Sequence, residues 1–155
     1  LWALLLAVVC VNAEKVEVVA DKFFADEKKQ ITVFSGNVVV TKGSDKLVAN
    51  KVIIDFDKNR QPLKYTAIGN AKIDMSLNEK KYYGEADTMI YDPIKSQYTL
   101  LKKAFLHEKV TDKKVYGERI WVDQISGRYE VDSDGKKPVK FIFKVEDKKK
   151  KENKK

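Results

Sequence analysis

Cysteine, histidine, proline and arginine are all scarce in this chain, and each shortage closes a route. One cysteine, Cys10, among 155 residues leaves no disulfide framework and no multi-thiolate metal site. One histidine, His107, rules out multi-histidine zinc sites and disfavours a histidine-based triad. Neither a G-x-x-x-x-G-K-[S/T] run nor a G-x-G-x-x-G run occurs, so no backbone cradle for nucleotide phosphates is expected. Arginine contributes three residues (Arg60, Arg119, Arg128) against 28 lysines, whereas readers of phosphates and base edges favour the arginine fork. The length suits one domain that can bury a core unaided. Together these shortages point away from catalysis and cofactors and towards binding.

What is abundant is charge, with 31 basic residues against 23 acidic ones and a net +8. Half of that excess lies in Asp147–Lys155, where six lysines meet only Asp147 and Glu152. Residues 147–155 are expected to be a disordered, Lys-rich tail, because like charges repel and nothing apolar is there to bury. A tail that touches anionic lipid or a partner remains an alternative. At the other end, Leu-Trp-Ala-Leu-Leu-Leu-Ala-Val-Val-Cys-Val-Asn-Ala is too short to span a bilayer but suits the apolar region of a secretory signal. Residues 1–13 are therefore read as a partial signal peptide cleaved after Ala13, with Val11 and Ala13 at the −3 and −1 positions. Cleavage there would discard the only thiol, which suits an oxidising compartment. The end of a longer membrane anchor and a lipidated Cys10 stay open as other readings.

Residues 14–146 read as one all-β domain. Ala71, Ile73, Met75 and Leu77 alternate with Lys72, Asp74, Ser76 and Asn78, and Val139, Phe141, Phe143 and Val145 repeat the pattern near the end. Turn signals recur every eight to twelve residues, at Asp26-Glu27-Lys28, Lys42–Asp45, Asp57–Arg60, Asp92-Pro93, Thr111–Lys113 and Ser133–Gly135. An internal repeat is more informative. A small residue, two polar ones, three mostly apolar ones and Asp appear as Ala20–Asp26, Ala49–Asp55, Ala86–Asp92 and Gly117–Asp123, at offsets of 29, 37 and 31 residues. Between them lie Phe34-Ser35-Gly36-Asn37-Val38 and Ala67-Ile68-Gly69-Asn70-Ala71, with Leu100-Leu101-Lys102-Lys103-Ala104 as a degenerate third. The Gly-Asn pair is expected to make a bulge or bend, and Asp26, Asp55, Asp92 and Asp123 to end strands and organise turns.

Phe34–Gly43 followed by Leu47–Ile54 resembles the OstA-like family of lipopolysaccharide transport, and the likeness extends more weakly over residues 16–131. The resemblance implies a twisted, open antiparallel β-jellyroll of repeated strand pairs with an apolar interior groove. It implies a periplasmic protein that shields the acyl chains of lipid A, in lipopolysaccharide or lipooligosaccharide, and joins end to end through edge strands. It also implies an LptC-like inner-membrane component and an LptD-like outer-membrane component as partners, with no cofactor and no nucleic acid. Each methylene withdrawn from water is worth about 0.8 kcal/mol, so a twelve-carbon chain needs roughly 10 kcal/mol of shielding. The expected lining is Val16, Val18, Phe23, Ile31, Val33, Val38, Val40, Val52, Ile54, Ile73, Met75, Met89, Tyr91, Ile120 and Val122. The runs Val38–Val40 and Val52–Ile54 are apolar throughout, so a slip of one residue swaps faces. Lys42, Lys46, Lys72, Lys102 and Lys103 are candidate contacts for lipid phosphates, or simply a solvated rim that resists aggregation.

Three rivals remain. A membrane-anchored LptC-like component or the N-terminal domain of an LptD-like protein would share the fold. A secreted jellyroll carbohydrate-active enzyme would use paired carboxylates. A polyanion binder would lose affinity steeply with salt.

Overall fold

The computed structural model describes residues 15–147. These form ten strands and no helix: β1 (Val16–Val19), β2 (Lys22–Asp26), β3 (Ile31–Lys42), β4 (Asp45–Phe56), β5 (Pro62–Leu77), β6 (Lys80–Asp92), β7 (Gln97–Glu108), β8 (Lys113–Asp123), β9 (Tyr129–Asp132) and β10 (Lys140–Ile142). All pairings are antiparallel in a single sheet. Strands β3 to β8 follow one another in chain order. β1 pairs with residues 39–42 of β3 and β2 with residues 31–35, so the first edge is one strand broken at its middle. β9 and β10 divide β8 in the same way at the other edge. The signal-peptide residues and nearly all of the Lys-rich tail lie outside the described residues.

The break at each edge continues as a crease through every strand, and the repeat is its cause. The register shifts between Ser35 and Val38, between Ile68 and Ala71, and between Leu101 and Ala104. Gly36 and Asn37 have φ of 82° and 48°, and Gly69 and Asn70 have 88° and 47°. The bulges expected from Gly-Asn are therefore present. Gly is required for a second reason: a Cβ at Gly36 would sit 2.6 Å from Asp21 Oδ2, and one at Gly69 would sit 2.6 Å from Asn50 Nδ2. Asp21 and Asn50, the second residues of the first two elements, thus pack on the glycine of the next strand. Asp21 also takes a hydrogen bond from Asn37 Nδ2 at 2.9 Å and donates its own N–H to the Gly36 carbonyl. The third bulge survives without glycine. Lys102 and Lys103 adopt φ of 66° and 50°, a conformation costly for any residue with a Cβ.

At the crease the sheet folds over into two layers. Layer A holds β1, residues 38–42, 45–49, 71–77, 80–86, 104–108 and 113–117, and β10. Layer B holds β2, residues 31–35, 51–56, 62–68, 88–92, 97–101 and 119–123, and β9. Small residues sit inside the crease: Ala49 and Ala86, which head repeats, and Ala71 and Ala104, which close bulge elements, are buried in the same core as Val38. Register then fixes the inner faces, because directly paired residues share a side. Val18, Val40, Leu47, Ile73, Gly84, Leu106 and Val115 form one inner row of layer A. Phe34, Val52, Ala67, Met89, Leu100 and Ile120 form a row of layer B. The layers meet closely at Gly84, where a Cβ would lie 3.0 Å from Ile73 and 3.1 Å from Leu100.

Two details differ from the sequence reading. Asp26, Asp92 and Asp123 do organise turns through Oδ1, accepting from Lys29, from Ile94 and Lys95, and from Ile125. Asp55 stays in its strand, paired with Ile31 and Lys64, and Asp57 holds that turn by accepting from the Asn59 and Gln61 N–H groups. The apolar alternation from Val139 to Val145 yields only the three-residue β10, because pairing is confined to Tyr116, Val115 and Lys114.

Candidate functional site

The layers part at the β1 end. Val16, Val18 and Lys42 of layer A face Ile54, Phe56, Gln61, Pro62, Tyr65 and Pro93 of layer B across a cavity of about 660 Å³. This mouth leads inward, past Val16, Lys42 and Tyr65, to a narrow apolar cavity of about 40 Å³ between Val40, Leu47 and Ile73 on one side and Val52, Ala67 and Met89 on the other. Farther along, Leu100, Leu106, Ile120 and Val122 are fully buried between the layers. The mouth is the part of the groove wide enough to receive an acyl chain, and the inner cavity is too small to hold one.

The expected lining residues separate into five groups. Val16, Val18 and Ile54 line the mouth, while Val40, Val52, Ile73, Met89 and Tyr91 surround the inner cavity. Val38, Met75, Ile120 and Val122 lie in the packed core. Phe23 is on the inner face at the open edge, its ring 5.7 Å from Phe34 and itself two-thirds exposed. Ile31 and Val33 belong elsewhere. Val33 pairs with Phe24 and Ile53, and Ile31 with Asp26 and Asp55, which places both on the outer face of layer B. Thr32 and Phe34 take the inward positions, so the apolar residues at 31 and 33 misled the face assignment.

The five lysines do not converge. Lys42 sits at the mouth and donates to the Tyr91 hydroxyl at 2.9 Å, with its ammonium 5.1 Å from the ring centroid. Lys46 borders the inner cavity. Lys72 pairs with Val48 and Glu85 on the outer face, away from the groove, because Ala71 and Ile73 take the inward positions beside it. Lys102 and Lys103 lie at the crease, and Lys103 borders a separate cavity at the β10 edge with Tyr116, Lys137 and Lys140.

Several residues important to the groove carried little sequence signal. Tyr65 and Tyr98 join the expected Tyr91 in an inner row of layer B, with Tyr91 and Tyr98 stacked at 4.4 Å. The Tyr-Thr pair that recurs in the sequence at 65–66 and 98–99, ahead of two successive bulge elements, is the only local mark of Tyr65 and Tyr98. Burial pushes the Tyr98 phenol far above its ordinary pKa, and the Asp45 carboxylate adds to this, so the hydroxyl remains a donor. Burial also raises Tyr65, opposed in part by Lys42. Asp45 Oδ2, on layer A, accepts from Tyr98 Oη at 3.1 Å and Gln124 Nε2 at 3.0 Å, while its Oδ1 accepts from the Ser76 N–H. Gln124 Nε2 also reaches the Ser76 carbonyl at 3.1 Å. This clasp closes the groove on the side opposite the crease, and no local motif announces it.

Both edges expose apolar side chains: Val19, Phe23 and Phe24 at one, and Phe141, Ile142 and Phe143 at the other. The arrangement can take up apolar chains at the mouth and add strands at either edge.

Known proteins share this architecture. The family described as LptA/(LptD N-terminal domain) LPS transport protein matches residues 17–128. The lipopolysaccharide export system protein LptA of Haemophilus influenzae is 30% identical over 137 residues, covering 84% of this chain and 77% of that protein. The lipopolysaccharide export system protein LptH of Pseudomonas aeruginosa is 36% identical over 70 residues, 45% of this chain and 35% of that one. The crystal structure of LptH, the LptA-homologous periplasmic component of the lipopolysaccharide transport device of that organism, superposes with a TM-score of 0.76 at 22% identity, covering 85% of this chain and 96% of that one. The open antiparallel jellyroll is thus common to both folds, and the chain belongs to the LptA and LptD N-terminal domain family of lipopolysaccharide transport proteins.

Proposed function

We propose that this chain is a periplasmic lipopolysaccharide carrier, exported by a signal peptide cleaved after Ala13, that shields lipid A acyl chains between its layers. The observation that carries the reading is the groove itself. An apolar mouth between Val18 and Phe56 leads into an interior lined almost wholly by aliphatic and aromatic side chains. Kinship with proteins named for lipopolysaccharide export supports that cargo. Nothing in the groove requires a cofactor, and the force that moves the lipid comes from another component.

The edges support a bridge. Strands of the Ala-Asp kind and strands of the bulge kind alternate through the sheet: Ala20-Asp21 at the first edge, bulged β3, then β4 with Ala49-Asn50, bulged β5, and so on. The first edge is of the Ala-Asp kind, and the last edge follows Gly117-Glu118 where the bulge kind is due. A second copy laid head to tail continues the alternation, whereas head-to-head stacking breaks it. The same edges suit an LptC-like component at the β1 end and an LptD-like component at the β10 end.

The test is direct binding. The purified chain should take up hexa-acylated lipid A at low and high salt alike and release it to detergent, with one lipid per chain by native mass spectrometry. Binding that collapses between 50 and 200 mM salt, as expected for about six or more phosphate contacts, would favour a polyanion binder instead.

A further inference from the structure

We propose that the clasp centred on Asp45 is the gate through which the groove opens to admit its cargo, an inference that rests on the lipid-carrier reading. The mouth opens only one end of the groove, and the inner cavity of about 40 Å³ is too small for the acyl chains of a lipid that carries several. The layers must part for the remaining chains. Along the crease they cannot part, because strands β3 to β8 pass covalently through it and Asp21 and Asn50 are packed onto Gly36 and Gly69. On the opposite side the layers are joined by side-chain hydrogen bonds: Tyr98 to Asp45, Gln124 to Asp45, Gln124 to the Ser76 carbonyl, and Lys42 to Tyr91. Each can be exchanged for water as the layers separate.

The clasp is also firmly seated on each layer. Asp45 is fixed to layer A through the Ser76 N–H, and the Gln124 N–H is fixed to layer B through the Ser96 carbonyl. Opening therefore breaks the contacts between layers and keeps those within them, as expected of a hinge whose axis is the crease. Ser44 and Ser96 face one another across a cavity of about 260 Å³ that Asp45 and Gln124 also line, so these positions report and can block the movement.

The experiment uses the full chain carrying Cys10→Ser, Ser44→Cys and Ser96→Cys, bridged by a short bis-maleimide, and follows uptake of cis-parinaric acid, a linear fluorescent acyl chain, by stopped flow. The short tether should reduce uptake beyond the first chain at least tenfold, and a long flexible tether should restore it. Gln124→Ala, with the cysteines absent, should speed uptake about fivefold, the effect of removing hydrogen bonds of ordinary net strength. Unchanged stoichiometry and rate in the short-tethered protein would overturn the gate while leaving lipid binding intact. Failure of the untethered protein to take up the probe would overturn the carrier reading, and the gate with it.

Discussion

The crease predicts two substitutions of opposite sign at equivalent positions. Gly69→Ala forces a Cβ onto a backbone with φ of 88° and brings it within 3.0 Å of Asn50 Cβ. A left-handed residue with a Cβ costs roughly 1–2 kcal/mol. Alanine returns about 0.4–1 kcal/mol by narrowing the unfolded ensemble. With the Asn50 contact added, the expected net loss is about 1–2 kcal/mol, or roughly 3–6 °C in Tm for a domain of this size. Lys102→Gly reverses the bookkeeping. It relieves a left-handed lysine with φ of 66° and gives back chain entropy to the unfolded state, for a net gain of about 0.5–1 kcal/mol. Urea unfolding followed by Trp121 fluorescence measures both, at protein concentrations low enough that association adds nothing. A neutral Gly69→Ala, or a Lys102→Gly variant that loses stability, would refute the view that the third bulge is a strained copy of the first two.

Other consequences are as specific. Ile120→Ala removes a fully buried side chain between the layers and should cost about 2–5 kcal/mol in the same assay. Tyr98→Phe removes one donor from Asp45, which keeps Gln124 and the Ser76 N–H, so about 1 kcal/mol should be lost. Lys144 and His107 hold the Asp112 carboxyl down at about 2, below the ordinary 3.8, so its contribution is present above pH 4 and lost as the pH falls through 2. Asp112→Asn should flatten the urea midpoint across that window. Burial and a 2.5 Å hydrogen bond to Glu85 push the Tyr83 phenol up to about 12, so its contribution is complete below pH 10 and lost as the pH rises through 12. Tyr83→Phe should remove that alkaline step. Phe141→Asp at the β10 edge should weaken concentration-dependent association in sedimentation and leave lipid uptake unchanged.

The crease, the two-residue alternation of β5 and most turns were legible because each is a local pattern. Gly36-Asn37 and Gly69-Asn70 mark bulges wherever they stand, and Lys102-Lys103 was recognisable only by its place in the repeat. The turn at Asn78-Glu79 went unread, since its left-handed φ values of 49° and 64° are met without glycine or proline. The choice of face was illegible where apolar residues run on, and only pairing with Asp26, Asp55, Phe24 and Ile53 turns Ile31 and Val33 outward. The clasp was hidden for a different reason. Asp45, Tyr98 and Gln124 are 53 and 79 residues apart along the chain, and folding at the crease alone brings them together.

The central claim is that lipid acyl chains lie between the layers, and photocrosslinking in cells tests it most directly. A photoreactive residue at Val18 or Phe56, both at the mouth, should capture lipopolysaccharide, and one at Lys72 on the outer face should capture none. Equal capture at all three positions, or capture at Lys72 alone, would contradict the account.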